Sequence, residues 1–125
     1  MTAAELKYLI ALNSLKQENE FVRMTKLALK SGVSKPSMMQ AIEKFEMNHI
    51  LMKDGKNIVF TPEGKEIFDD YMLLVNYIAA HLNNHCNTPL DIAMEDAIHA
   101  VCVVSSVSRC GLADFLKCQK NQRMK

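Results

Sequence analysis

The sequence of 125 residues is 49% hydrophobic and 23% charged, which fits one compact domain or two small lobes. No apolar run approaches the roughly 18 residues that a membrane span needs, and the N-terminus lacks the layout of a signal peptide. The four cysteines form no CxxC pair and no dense disulfide framework. We therefore expect a cytoplasmic protein with reduced thiols and no membrane partner.

The formal net charge of +1 conceals a division along the chain. Residues 23–65 hold eight Lys and Arg against four acids, a net charge of +4. Residues 66–100 hold six acids and no Lys or Arg, a net charge of −6. A basic lobe joined to an acidic one is expected if the first lobe meets nucleic acid, although solvated faces also vary in sign by chance.

The N-terminal segment predicts two helices. Thr2 and Glu5 have the spacing of a capping box, and leucines at three-residue steps give the first helix an apolar face that runs to about Gln17. A second, shorter helix over Thr25–Lys30 is expected to end at Gly32, which tolerates a left-handed backbone.

The segment Ser34–Phe45 predicts the helix around which the protein is organised. Ser34 is typical of an N-cap and Pro36 of a first turn, and the stripe Met38, Ile42 and Phe45 should pack inward. The outward side holds hydroxyl, amide and ammonium groups, which suit a DNA major groove. An ordinary helical hairpin with a solvated face explains this segment alone equally well.

A β-hairpin after this helix decides between the two readings. Ile50–Lys53 and Asn57–Phe60 predict strands, and Asp54-Gly55 is a two-residue turn signal. We therefore predict a mainly α protein, with a winged helix-turn-helix DNA-binding domain in residues 1–64 and an α-helical dimerisation or effector domain in residues 65–125.

Three further helices are expected in the second domain. The longest begins at Thr61-Pro62 and runs to about His85, and it is apolar enough to need cover, which a partner subunit would provide. Thr88-Pro89 should cap the next helix, and one of Ser105, Ser106 and Ser108 the last.

Taken together, the sequence resembles the diphtheria-toxin-repressor and manganese-transport-regulator family of metal-dependent repressors, in its short two-domain form. The resemblance covers nearly the whole chain and rests on these motifs: Ser34-x-Pro36-Ser37-Met38-x-Gln40, Lys44-Phe45-Glu46, Ile50-Leu51, Thr61-Pro62-x-Gly64-Lys65 and Ala97-Ile98-His99.

This resemblance implies a homodimeric repressor that binds a palindromic double-stranded DNA operator. Gln40 is expected to pair with adenine, and Pro36 or Met38 to touch a thymine methyl group. The wing lysines, which are Lys53 and Lys56 of the predicted hairpin, should contact phosphates. The predicted DNA-binding residues are Ser34, Lys35, Pro36, Ser37, Gln40, Lys44, Lys53, Lys56 and Asn57.

The metal site that the resemblance implies is largely replaced. The family's ligand positions hold Lys7, Ile10, Val75, Glu95, Ile98 and His99 in this sequence. Glu95 and His99 alone are too few ligands for a transition metal such as manganese, iron or zinc, which needs about four to six donors. Our hypothesis is that hydrocarbon fills the site, that Lys7 pairs with Glu95, and that DNA binding is metal-independent; Lys7 pointing to solvent is the alternative.

Two other hypotheses stay open at the level of sequence. A soft metal ion, zinc or copper(I), could use some of His81, His85, Cys86 and Cys102. The chain could also be a winged-helix protein-interaction module without sequence-specific DNA binding. An enzyme is not expected, because no phosphate-binding glycine loop, nucleophile–base pair or paired acids are recognisable.

Overall fold

The computed structural model describes residues 1–123, and the side chains of residues 1–119. These residues form six α-helices and one two-stranded antiparallel sheet, which confirms the predicted mainly α, winged-helix class. The elements in chain order are α1 (Ala3–Glu18), α2 (Met24–Ser31), α3 (Lys35–Met47), β1 (Leu51–Asp54), β2 (Asn57–Phe60), α4 (Pro62–His85), α5 (Leu90–Val103) and α6 (Ser106–Arg123).

The chain divides into two compact units. The first unit is Ala4–Phe68, and the second comprises the first three residues with the chain from Asp69 onward. None of the described helices is both long and apolar enough to cross a bilayer.

The core of the first unit follows the predicted helical stripes. Burial of each large apolar side chain contributes about 1.5–3 kcal/mol to the free energy of unfolding. The buried side chains include Leu6, Leu9, Leu12 and Leu15 of α1, Leu27 and Ala28 of α2, Met38, Ile42 and Phe45 of α3, and Leu51 and Ile58 of the sheet.

The turn between α2 and α3 forms as the sequence predicts. Gly32 ends α2 with a left-handed backbone (φ 71°), and its N–H donates to the Ala28 and Leu29 carbonyls in the last two turns of that helix. Ser34 is the N-cap of α3, where its hydroxyl accepts a hydrogen bond of 3.3 Å from the Ser37 N–H. These caps fix the start of α3 relative to α2.

The hairpin turns one residue later than the sequence suggested. Asp54 pairs with Asn57 across the sheet, so the two-residue loop is Gly55-Lys56 rather than Asp54-Gly55. Gly55 supplies the positive φ (65°) that such a loop requires.

The hairpin joins α4 through a compact set of contacts around Thr61. The Thr61 hydroxyl donates to the His49 carbonyl (2.5 Å) and accepts from the Gly64 N–H (2.8 Å), so it caps α4 as predicted. Thr61 N–H donates to the Ile50 carbonyl at 3.0 Å. Gly64 lies so close to Ile50 that a Cβ atom would overlap the Ile50 backbone.

The second unit packs α4 from Asp69 onward with α5 and α6. An ion pair of 2.6 Å joins Lys117 to Asp70, and the Arg109 guanidinium lies 4.3 Å from the centre of the Tyr71 ring. Ser105 caps α6, but the predicted side-chain cap of α5 by Thr88 is wrong, because Pro89 holds the N-cap position and no side chain accepts there. The buried residues of the second unit are Tyr71, Leu74, Val75, Ala79, Ala93, Ala97, Ile98, Val101, Ala113 and Leu116.

Candidate nucleic-acid interface

The outer side of α3 presents polar side chains to solvent. The Ser34 hydroxyl donates to the Ser37 hydroxyl at 2.9 Å, so the two hydroxyls form a pair at the start of the helix. Gln40 lies one turn further on the same side. Of the residues predicted to contact DNA, Ser34, Lys35, Pro36, Ser37, Gln40, Lys44, Lys53 and Lys56 are all exposed.

Met38 cannot contact a thymine methyl group, contrary to one expectation from the sequence. Its side chain is fully buried against the core, because it belongs to the same stripe as Ile42 and Phe45. The neighbouring Met39 is 42% exposed and is the apolar group that α3 offers on its outer side.

A groove of about 440 Å³ lies beside the hairpin and the helix-turn-helix. Four cationic side chains border it, and none of its lining residues is acidic. Its lining residues are Arg23, Met24, Thr25, Lys35, Met39, Lys53, Gly55, Lys56 and Ile58. The three lysines were predicted from the sequence to bind DNA, whereas Arg23 and Met39 were not. The position of Arg23 just before α2, within the basic segment, was the available signal.

Two of the predicted DNA-binding lysines have acidic partners within the first unit. Lys44 lies 3.2 Å from Glu5 of α1, and Lys53 lies 3.3 Å from Glu46 of α3. Both ammonium groups are exposed, although the carboxylates are partly covered, and ion pairs at a protein surface contribute about 0–1 kcal/mol. A phosphate group can therefore compete for these ammonium groups.

Asn57 has a structural role that the sequence did not reveal. Its side-chain oxygen accepts hydrogen bonds from the Lys16 ammonium (2.6 Å) and from the Val22 N–H (2.9 Å). Ile58 N–H donates to the Val22 carbonyl at 2.9 Å, so the segment before α2 is bonded to β2 on both sides of Val22. These bonds hold the hairpin against the rest of the first unit.

Burial lowers the pKa of Lys16 below its ordinary value of 10.5, and the nearby Asp54 and Glu20 carboxylates oppose this shift. The ammonium also donates to the Glu20 carbonyl at 2.8 Å. The desolvation that lowers the pKa is the consequence of placing a cation under the hairpin.

The positions that the family resemblance assigns to a metal do not fit one. Val75 is fully buried and Ile98 is nearly so, and both offer only hydrocarbon. Glu95 and His99 are exposed and lie 3.6 Å apart, with the His99 ring also bonded to the Glu95 carbonyl oxygen. The predicted Lys7–Glu95 ion pair stays a prediction.

The alternative soft-metal residues lie in the second unit. The His81 and His85 rings are 5.2 Å apart on α4, and Cys86 is exposed while Cys102 is partly buried. Within the part of the chain whose side chains are described, no three His, Cys, Asp or Glu residues form a group able to hold a metal.

Comparison with known proteins gives a likeness in structure rather than in sequence. No protein-family model matches the chain, and no curated protein does. The structure of the manganese regulator SloR is similar, with a TM-score of 0.73 and 24% identity over 94% of this chain and 55% of that one. This chain has a winged-helix fold. It spans about half the length of SloR.

A second similar structure has no stated role. It is a hypothetical protein from Sulfolobus solfataricus, with a TM-score of 0.71 and 15% identity over 93% of this chain and 89% of that one. At these identities the comparisons establish the fold alone.

Proposed function

We propose that the protein is a DNA-binding transcriptional regulator that acts as a repressor. The observation that carries this proposal is the groove in which cations of α3, of the hairpin and of the residue before α2 meet. Lys35, Lys53, Lys56 and Arg23 come from three separate parts of the chain and border one surface. Phosphate contacts from such cations supply affinity and orientation.

The exposed side of α3 supplies the groups that read sequence. Gln40 can pair bidentately with adenine, and Ser34 and Ser37 can bond to base edges. Pro36 and Met39 offer apolar contact to thymine methyl groups. The N-terminal half of α3 would enter the major groove, with the hairpin tip on the adjacent backbone.

A homodimer on a palindromic operator is the proposed functional form. The second unit exposes apolar side chains on α5 and α6 that a second copy would cover. They are Leu90, Ile92, Val103, Val107, Leu112 and Phe115.

DNA binding is proposed to be independent of a metal, because the family's ligand positions lack the necessary donors. Operator affinity measured with and without a chelator tests this point. Equal affinity is expected, and a large loss on chelation contradicts metal independence without contradicting DNA binding.

Fluorescence anisotropy with mixed-sequence duplexes tests the central proposal. Affinity should fall steeply between 50 and 200 mM salt, since released counterions drive phosphate binding. After selection of a preferred duplex, Gln40→Ala should reduce the preference by about 1–3 kcal/mol at one base pair. Gln17→Ala, at an exposed position on α1, is the matched control and should leave binding unchanged.

A protein-interaction module is the second candidate, and one surface favours it. Phe21 and Leu29 are exposed beside Arg23 and Lys26 along a groove of about 420 Å³. An absence of salt-dependent DNA binding in the same titration would favour this candidate over the regulator.

A further inference from the structure

A partly buried carboxylate lies at the end of the helix that is proposed to read DNA. Glu46 is in the last turn of α3, and its side chain is 35% exposed. Its Oε1 atom is inaccessible to solvent and accepts no hydrogen bond among the described residues. Because a carboxylate oxygen that is removed from water needs a compensating partner, the cation closest to this atom determines what its burial costs.

The compensating cation is Lys53 of β1. Its ammonium lies 3.3 Å from Glu46 Oε1, which is an ion-pair distance, although its orientation does not make a hydrogen bond. Lys53 also borders the cationic groove beside the hairpin, whereas Glu46 is not among the residues that line this groove. The same ammonium therefore has two anions to pair with, the Glu46 carboxylate within the protein and a phosphate group in the groove.

We propose that Glu46 competes with DNA phosphate for Lys53 and thereby lowers the affinity of the protein for a duplex of any sequence. This inference rests on the proposed DNA-binding function and adds a residue that opposes it. When Lys53 moves toward a phosphate, the buried oxygen of Glu46 loses the charge that compensates it. The carboxylate also repels the incoming phosphates. Both effects are independent of base contacts, because phosphates carry no sequence information.

Glu43 provides a matched control on the same helix. It lies three residues before Glu46, is exposed, and is not the partner of Lys53. Glu43→Gln and Glu46→Gln each remove one negative charge from α3 and keep the size of the side chain. The difference between the two variants therefore separates the ion pair from the general effect of net charge on DNA affinity.

Fluorescence anisotropy with a mixed-sequence duplex at about 50 mM salt tests the proposal. Glu46→Gln should bind about fivefold more tightly than the wild type, the equivalent of a surface ion pair of about 1 kcal/mol. Glu43→Gln should change the affinity by less than about twofold, since it breaks no ion pair with a cation of the groove. Urea denaturation establishes that each variant is folded under the conditions of the titration.

A double-mutant cycle with Lys53→Met shows whether Glu46 acts through Lys53. In the Lys53→Met background, Glu46→Gln should change the affinity no more than Glu43→Gln does, because the ammonium for which Glu46 competes is gone. A gain that disappears in this background supports the proposal.

Three results would overturn the inference and leave the regulator proposal standing, since the wild type binds DNA in each of them. They are equal affinities of Glu46→Gln and Glu43→Gln, weaker binding by Glu46→Gln than by the wild type, and a gain that persists in the Lys53→Met background. If the wild type binds no duplex at about 50 mM salt, the regulator proposal fails and this inference fails with it.

Discussion

The ammonium of Lys16 donates a hydrogen bond of 2.6 Å to the side-chain oxygen of Asn57, and this bond ties the end of α1 to the start of β2. The same oxygen accepts from the Val22 N–H at 2.9 Å. A hairpin of two four-residue strands has little stability of its own. Its orientation beside α3 therefore depends on such bonds to the rest of the first unit.

Asn57→Ala should destabilise the protein by about 1–3 kcal/mol, because it leaves the Val22 N–H without its acceptor and removes one of the two acceptors of the Lys16 ammonium. Urea denaturation measures the change. Asn57→Asp keeps an acceptor oxygen and should cost less. Lys56→Ala, one residue away on the exposed loop, should stay within about 0.5 kcal/mol of the wild type. Equal stability of Asn57→Ala and Lys56→Ala would contradict the assigned role.

The lowered pKa of Lys16 predicts a pH dependence of stability. Between the folded pKa and the ordinary value of 10.5, the unfolded chain binds more protons than the folded one, so stability rises with pH in this window. Below the folded pKa, the charged Lys16 bears the full cost of desolvation. Lys16→Met lacks the titrating group.

The stability of the wild type relative to Lys16→Met should therefore increase as the pH rises from neutrality toward 10.5. Urea denaturation of both proteins at matched pH values gives this difference, in which the titration of the other lysines cancels. If the difference in the free energy of unfolding between the wild type and Lys16→Met stays constant with pH, or if the wild type becomes relatively less stable as the pH rises, the desolvation of the Lys16 ammonium is contradicted.

Gly64→Ala should destabilise the protein by about 2–3 kcal/mol, although alanine favours helices, because the new Cβ atom would overlap the Ile50 backbone. Gly111→Ala is the matched control in α6, since its Cβ would meet nothing within 4 Å. That variant should gain about 0.5–1 kcal/mol. Thermal unfolding distinguishes the two, and a stabilised Gly64→Ala would disprove the close contact.

Adjacent methionines on α3 provide a test of its inward and outward sides. Met38→Ala should cost about 2–5 kcal/mol, since it leaves a cavity in the core. Met39→Ala should change stability by no more than about 0.5 kcal/mol and should instead weaken DNA binding. If Met39→Ala proves the more destabilising of the two, α3 has been assigned the wrong face.

The sequence predicted the winged helix well because its local signals agree with one another. The hydroxyls of Ser34 and Thr61 cap the starts of α3 and α4, as predicted. Gly32 adopts the left-handed backbone that ends α2, also as predicted. The stripe of Met38, Ile42 and Phe45 has the helical period and is buried throughout. Local propensity and tertiary packing therefore specify the same elements.

The contacts that the sequence did not reveal join residues far apart in the chain. Asparagine is a residue type that is common in exposed turns. Only the folded chain brings Lys16 and Val22 to the side chain of Asn57. Arg23 and Met39 likewise become neighbours of the wing lysines only once the hairpin folds beside α3. Thr88 was expected to cap α5 from its position alone, but Pro89 takes that place.

The most direct test of the account is an amide NMR titration of the protein with a selected DNA duplex. The regulator proposal predicts shifts concentrated at Ser34–Gln40 and at Lys53–Lys56, with little change along α6. Shifts confined to the surface around Phe21 and Leu29, or no shifts at a duplex concentration that saturates anisotropy, would contradict contact through α3 and the wing.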